Sequence, residues 1–529
     1  MEAAPTIEAV PEEKRSLGVR PWLDHRVFLL VTLLGAALVY SQFEVFKQPV
    51  RGDRANWEYM AQLIARGSVP YRDAVNIKSP LSAYLGAAAI VITRPFGLRD
   101  LYAVRLLYQA LGVLTVVLTF LVAYEFFGSR WLALLAALIF LSFHSFAGTN
   151  SAGIQPKTPM MLFGLCSLWA IRKEKPFWAG MFSMLSALSW QPGLLYFGAA
   201  GLAFTSYLTR WRVRTLIKLV GGAILPLAIL LLYFAFAGAL VDFYLWAFKY
   251  NYSVYAPEEL KPASHFFNYF SRMVTGNYRS ERVYFYIAAI GLLVAFGREA
   301  VEAKRGGLRV LLERAPFHAI TITLLVYFVF CIINVQGSAD FFPFLPYVGV
   351  FAALAIITTL DGLMKLIERT RAAPYVVPVN LVSTAVIVLL VFFLSLSQAF
   401  SYHRRGLTLQ AQEVEVKEIT SNLQPGDQIF VHGTTEVLVI AGLTNASRYF
   451  FLDRDKDLYM DQVEPGGFDG WFNRLKAEEP KVVMLSRLRK VRSKKQFAEW
   501  VASEYDEHRG KLFTYYVKKS AVSNASVEH

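Results

Sequence analysis

The apolar positions of this 529-residue chain fall in long unbroken runs rather than in strict alternation. Residues 106–124, 219–241, 315–339 and 341–360 contain no Asp, Glu, Lys or Arg. Each run approaches or exceeds the roughly 20 residues of helix that cross a bilayer. Residues 27–43 predict a first crossing. The run 176–209 is too long for one crossing and carries Gln191-Pro192-Gly193 near its middle; Pro and Gly turn the chain there, which predicts two. Segments 283–297, 317–334, 342–360 and 375–396 complete a predicted total of about eleven crossings. Residues 81–95 are apolar but only about 15 residues long, a length that suits an interfacial or re-entrant segment.

Composition and charge sharpen this picture. The chain is 55% hydrophobic and 18% charged, against about 25% charged for soluble domains. Its formal net charge of +14 gathers in short clusters between the apolar runs: Arg172-Lys173-Glu174-Lys175 and the stretches 210–218, 298–314 and 365–371. Such placement is the positive-inside pattern of cytoplasmic loops rather than a nucleic-acid face. With 81–95 read as non-spanning, every cluster falls on the same side as the N-terminal tail, 1–26; counting it as a crossing would invert them. The tail has no short basic n-region, and the run after it has no small-residue cleavage site, so it reads as an uncleaved anchor. Cys166 and Cys331 both lie in apolar runs and have no zinc spacing,. From Ser401 the composition changes. Residues 427–433, 448–452, 481–487 and 511–518 read as strands, and 467–478 and 494–504 as helices, which predicts a small α/β domain. No Gly-rich phosphate loop follows any of these strands. The fold class expected is therefore a polytopic α-helical membrane protein with a small C-terminal α/β extracytoplasmic domain. Its parts are a tail 1–26, a membrane domain 27–398 with an external loop 45–80, and a C-terminal domain 399–529.

Chemistry concentrates in the external loop. Asp53 opens an amphipathic run in which Trp57, Met60, Ala61 and Ile64 recur at helical spacing until Gly67. This predicts a short helix lying on the membrane, apolar side down. Pro70-Tyr71-Arg72-Asp73 and Lys78-Ser79-Pro80-Leu81 follow. Asp53 fits two roles, an N-cap or a reactive carboxylate. Asp73 fits a turn, and Lys78 fits a side chain snorkelling to headgroups.

The whole pattern resembles the first external loop of the polyprenyl-phosphate-sugar-dependent glycosyltransferases of the C-type fold, which include protein O-mannosyltransferases and lipid A aminoarabinose transferases. That loop commonly reads Asp-Glu, a helix, Gly, Pro-Tyr-x-Asp and Lys-x-Pro-Leu. Residues 340–346, DFFPFLP, are similar to an aromatic segment late in these membrane domains, and the α/β tail with its DQIFVHG strand is a third likeness. The chain departs from the pattern in three places. Arg54 stands where Glu is usual. Gly153-Ile154-Gln155-Pro156-Lys157-Thr158 has no carboxylate where many members carry a second one. Gln191 replaces a frequent Lys.

The resemblance implies sugar transfer from a polyprenyl-phosphate donor to a protein, lipid or glycan acceptor, with inversion, at the extracytoplasmic face of the plasma (inner) membrane. An acceptor hydroxyl needs a base, for which Asp53 is the candidate. The departing lipid phosphate needs fixed cations; Lys78 comes first and Arg72 second. Arg105 and Arg272 are candidate helpers. Asp73 either orients Lys78 or meets acceptor. Asp340, an acid at the mouth of a crossing, is a candidate by its cost in lipid. Tyr250, Tyr252 and Tyr255 stack on sugar or belong to an interfacial aromatic belt. His144 and Lys157 read as solvated or satisfied residues. No metal or other cofactor is assigned. Competing readings are a carrier or flippase for polyprenyl-linked sugars and a non-catalytic assembly subunit.

Overall fold

A computed structural model describes residues 24–205, 213–255, 261–313, 315–370, 375–402, 407–453, 455–488 and 491–519. Most of the expected tail (1–23), Arg210, Arg314 and Arg371 lie outside the described residues.

The chain opens with α1 (His25–Ser41), α2 (Asp53–Ala65), α3 (Leu81–Thr93) and α4 (Asp100–Phe127). The middle of the membrane domain is built from α5 (Arg130–Leu141), α6 (His144–Ser151), α7 (Lys157–Arg172), α8 (Pro176–Ser189) and α9 (Leu195–Thr205), followed by α10 (Val213–Phe236). Among the described residues five helices are long and apolar enough to cross a membrane: Asp100–Phe127, Val213–Phe236, Arg282–Lys304, Ser338–Ile367 and Val376–Ser401. A sixth crossing is available if α5 and α6, bent by 63°, act together, and three shorter apolar helices accompany them. Counting apolar runs gave about eleven. Most of the difference arises in residues 130–205, where the runs break into helices that are 8 to 16 residues long, and the rest at the shorter apolar helices His25–Ser41 and His318–Ile333. Apolar helices that short also serve as buried core. The break expected at Gln191 is a 3-10 turn, Gln191–Leu194. α3 has 13 residues, so it is only about 20 Å long at 1.5 Å per residue.

Helices of the membrane domain approach one another through small residues, as is usual where lipid removes the hydrophobic drive between helices. A Cβ on Gly180 of α8 would collide with the Leu219 carbonyl of α10, and one on Gly222 with the Phe177 carbonyl of α8. Within α8, Ser183 shares a 2.8 Å hydrogen bond with Ser167 of α7, so these buried hydroxyls satisfy each other.

One expectation about the 45–80 segment is corrected. α2 does not lie apolar side down on lipid. Trp57, Met60 and Ala61 are buried, but so are Glu58, Tyr59 and Gln62 on its other side. Gln62 donates to the Val439 carbonyl, and Tyr59 Oη accepts from the Asn445 N–H. The helix is clasped between α3 and the C-terminal domain. Short helical segments cover 240–249 and 251–255, and a helix runs Ala263–Arg272. Their aromatic side chains make them a packing layer. Trp246 and Tyr250 are fully buried, in ring contact with Tyr449 and Tyr459 of the C-terminal domain.

The C-terminal domain holds a four-stranded sheet of β1 (Ile429–His432), β2 (Val482–Leu485), β3 (Tyr505–Arg509) and β4 (Thr514–Lys518), in the order β1-β2-β4-β3. β1 and β2 are parallel; β4 runs antiparallel to both β2 and β3. The strand expected at 448–452 is absent from the sheet. Its Leu452 N–H bonds to the His432 imidazole, which takes that donor away from any ladder. β3, with sequence YDEHR, buries only Tyr505 and carries no alternating apolar signal, as suits an edge strand,. The helices expected at 467–478 and 494–504 are present as Gly467–Ala477 and Lys494–Glu504.

Candidate active site

Three segments distant in sequence meet at the end of the helical domain. Helix α2 brings its first turn, the stretch 75–78 arrives from the loop between α2 and α3, and residues 336–340 lead into the buried helix Leu345–Ile367. The C-terminal domain closes the gap with Phe450, Phe451, Asp453 and Lys456. Between them is a cavity of about 440 Å³ lined by Asp53, Asn56, Lys78, Lys157, Trp190, Tyr255, Gln336 and Asp340 among others. Of the residues expected at a site, Asp53, Lys78 and Asp340 are brought together here.

Asp53 is the first residue of α2, and Gly52 occupies the N-cap position with no side-chain cap bond. The capping role is therefore not the one Asp53 plays. Its side chain is 89% exposed and meets Arg487 only loosely, at 3.9 Å. The other two carboxylates on the cavity wall are committed. Asp340 pairs with Lys157 at 3.0 Å and accepts the backbone N–H groups of Gln336 and Gly337 at 2.7 and 2.8 Å. Asp453 pairs with Lys456 at 2.6 Å.

Lys78 donates to Tyr255 Oη at 2.8 Å, with its ammonium 4.1 Å from the ring centroid. Tyr255 Oη in turn donates to Gln336 Oε1 at 2.7 Å. Of the three tyrosines noted in the sequence, Tyr255 lines the cavity, Tyr250 is core, and Tyr252 is exposed.

Arg72, Asp73, Arg105 and Arg272 stand elsewhere. Arg72 forms a two-pronged pair with Asp73 at 2.7 and 2.9 Å and donates to the Ala237 carbonyl. Asp73 also accepts the Val69 N–H, which closes the turn. Hydrogen bonding from Arg72 holds the Asp73 carboxyl below its ordinary value. This pair fastens the loop and lines no part of the cavity. Arg272 ends the helix Ala263–Arg272, exposed beside Tyr269. Arg105 is wholly buried in α4 and donates to the Val45 carbonyl.

Beside Arg105 lies Glu58 of α2, a buried carboxyl with no hydrogen-bond partner among the described residues. Burial pushes its pKa up to about 7, although Arg105 and Arg54 pull the other way. A folded-state value above the ordinary 4.5 means that the folded protein holds the proton more tightly. Its contribution to stability is then fully present below about pH 4.5 and is lost as pH rises through about 7. Thermal melts from pH 5 to 8 should show this decline in the native protein and a flatter profile in Glu58→Gln. An equal slope in both would remove Glu58 as its source. Gly153 (φ 136°) faces this carboxyl, and a Cβ there would collide with Glu58 Oε1.

Sequence reasoning set Lys157 aside, yet it sits on the cavity wall above the Trp190 ring. Its signal was its place directly after Pro156, in the segment where a carboxylate was sought. Asn56, Trp190, Gln336 and the 450–456 segment carried no local signal. Gln191, in the position of a frequent lysine, donates to the Ile77 carbonyl and braces the strand of chain that carries Lys78. Among the described residues no three His, Cys, Asp or Glu side chains converge as a metal-binding set.

The family described as DolP-mannose mannosyltransferase matches residues 67–232. A dolichol phosphate-mannose mannosyltransferase of Haloferax volcanii is 27% identical over 149 residues, which cover 27% of this chain and 32% of that protein. The match thus spans about a third of the curated relative. Among solved structures, ArnT from Cupriavidus metallidurans bound to undecaprenyl phosphate superposes with a TM-score of 0.59 at 12% identity, covering 94% of this chain and 98% of that one. The oligosaccharyltransferase AglB from Archaeoglobus fulgidus, in complex with an inhibitory peptide and a dolichol-phosphate, gives 0.52 at 13% identity, covering 94% and 74%. The chain has the C-type fold of the polyprenyl-phosphate-sugar-dependent membrane glycosyltransferases.

Proposed function

We propose that this protein is a membrane glycosyltransferase that moves a sugar, mannose by its family match, from a polyprenyl-phosphate donor to an acceptor at the extracytoplasmic face, with inversion. The observation that carries this reading is one cavity holding a lightly paired carboxylate, Asp53, across from two lysines, Lys78 and Lys157. A base for a hydroxyl and cations for a departing phosphate are what such a transfer requires. Inversion follows from a single displacement, because Asp340 and Asp453 are tied in ion pairs and are poor nucleophiles. The purified protein, given a short-chain polyprenyl-phosphate mannose and a mixture of envelope acceptors, should release free polyprenyl phosphate. Movement of labelled donor between leaflets without its consumption would make it a carrier instead.

The eleven-crossing arrangement belongs to the same proposal. It places Lys175 and Arg369 in the cytoplasm, and Arg51, Ser264 and Lys495 outside. Lys175→Cys, Arg369→Cys, Arg51→Cys, Ser264→Cys and Lys495→Cys, each made in a background without Cys166 and Cys331, should label accordingly with an impermeant thiol reagent. Labelling of Lys495→Cys only after lysis would overturn both the topology and the external site.

A further inference from the structure

We propose that Lys157 is the cation that takes up the second negative charge of the leaving phosphate, acting opposite Lys78. The inference rests on the transfer reaction proposed above. In that reaction the bond from the sugar anomeric carbon to the phosphate oxygen breaks, and a bond from that carbon to the acceptor oxygen forms. The acceptor proton passes to the Asp53 carboxylate, and the bonding electron pair leaves with the phosphate. The donor is a phosphodiester with one negative charge. The product is a phosphomonoester, which carries about −1.5 to −2 at neutral pH. Charge therefore grows on the phosphate as the bond breaks, and a cation answering that growth favours the transition state over the bound donor.

The geometry singles out Lys157 for this role. It lines the same cavity as Lys78 and Asp53 and is 14% exposed. An ammonium has three N–H donors; Asp340 engages one at 3.0 Å, and the Trp190 face, 4.1 Å away, takes up a second direction. Asp340 cannot follow a moving lysine, because two backbone N–H groups pin its other oxygen and Tyr327 Oη holds its carbonyl at 2.8 Å. Lys157, on a four-carbon stem, can swing from this fixed anion to a second one in the cavity. The two lysines are also physically linked. The sequence of contacts runs from Lys78 through Tyr255 and Gln336 to Asp340 and so to Lys157.

The placement is also unfavourable for a purely architectural lysine. Lys157 is the first residue of α7, and its N-cap is Pro156, which makes no side-chain cap bond. A cation at a helix N-terminus opposes the helix dipole. An anion arriving there would be favoured by the dipole and by the lysine together.

Steady-state kinetics with a short-chain polyprenyl-phosphate mannose, and inhibition by the matching free polyprenyl phosphate, test the assignment. Lys157→Met should leave donor KM within about twofold, lower kcat by about 100-fold, and raise the inhibition constant of the free phosphate by about 10-fold. Lys157→Arg should restore most of the product affinity, which keeps the test open if the Met variant folds poorly. Asp340→Asn releases the lysine and should leave product affinity native or tighter. If Lys157→Met binds free phosphate as the native protein does, or if Asp340→Asn weakens product binding equally, Lys157 is only the structural partner of Asp340. Native protein that neither consumes the donor nor binds the free phosphate would overturn the transferase reading, and this inference with it.

Discussion

Asp53→Asn should lower transfer by about two to four orders of magnitude, the usual worth of a positioned acid or base, and leave the fold unchanged. The structure separates these effects better than the sequence could. An N-cap aspartate contributes about 1 kcal/mol through its bond to the helix N–H groups, and Asn supplies that bond equally well. Here Gly52 is the N-cap, and Asp53, one residue on, makes no cap bond. Its carboxylate is 89% exposed, with Arg487 at 3.9 Å. The substitution therefore removes a negative charge from the first turn, worth a few tenths of a kcal/mol through the dipole, and little else of structural value. Circular dichroism and the melting temperature should be near native while turnover collapses. A folded Asp53→Asn protein that transfers sugar at more than a tenth of the native rate would mean another group takes the proton. Arg487→Ala adds a check: loosening this pair should change the pH profile of transfer rather than abolish it.

The legibility of this site follows distance along the chain. The loop motif lies within about thirty residues, so its resemblance to the family loop could point to Asp53 and Lys78 together, and both line the cavity. Arg72 and Asp73 belong to the same motif, but their charges are spent on each other. Spacing cannot show whether a neighbouring ion pair points inward or closes a turn. Asp340 could be suspected because an acid is costly at the mouth of a crossing, whereas its partner could not. The Lys157–Asp340 pair joins residues 183 positions apart. Periodicity likewise showed one side of α2, Trp57, Met60 and Ala61, and implied lipid beneath it. The opposite side, with Glu58 and Gln62, is polar in sequence yet buried, because the C-terminal domain supplies partners such as the Val439 carbonyl. A polar residue covered by a distant domain leaves no local mark. Span counting meets the same limit: an apolar run of 14 residues looks alike whether lipid or protein surrounds it.

Lys78→Ala carries the other large effect, and it should appear in donor binding as well as in turnover. A cation that touches the phosphate in both donor and transition state contributes to each, so its loss raises donor KM and lowers kcat together. We expect donor KM to rise by about 10-fold and kcat to fall by about 100-fold or more, with the acceptor KM little altered. The structure makes plain why this lysine is not merely reaching for headgroups. Its Nζ is held by Tyr255 Oη at 2.8 Å, and that hydroxyl is oriented in turn by Gln336 at 2.7 Å. Lys78→Arg keeps the charge but replaces a compact ammonium with a wide planar fork, which cannot use the same Tyr255 contact; only partial activity should return. Tyr255→Phe provides an independent measurement, since it removes the orienting hydroxyl and keeps the ring. Its donor KM should rise by less than that of Lys78→Ala, and the double variant should be little worse than Lys78→Ala alone, because Tyr255 acts through Lys78 and the two losses are not additive. A lysine that only snorkelled would behave otherwise: Arg would serve fully, Tyr255→Phe would be silent, and Ala would cost stability without shifting donor KM. Native donor kinetics in a well-folded Lys78→Ala protein would take this residue out of the phosphate site.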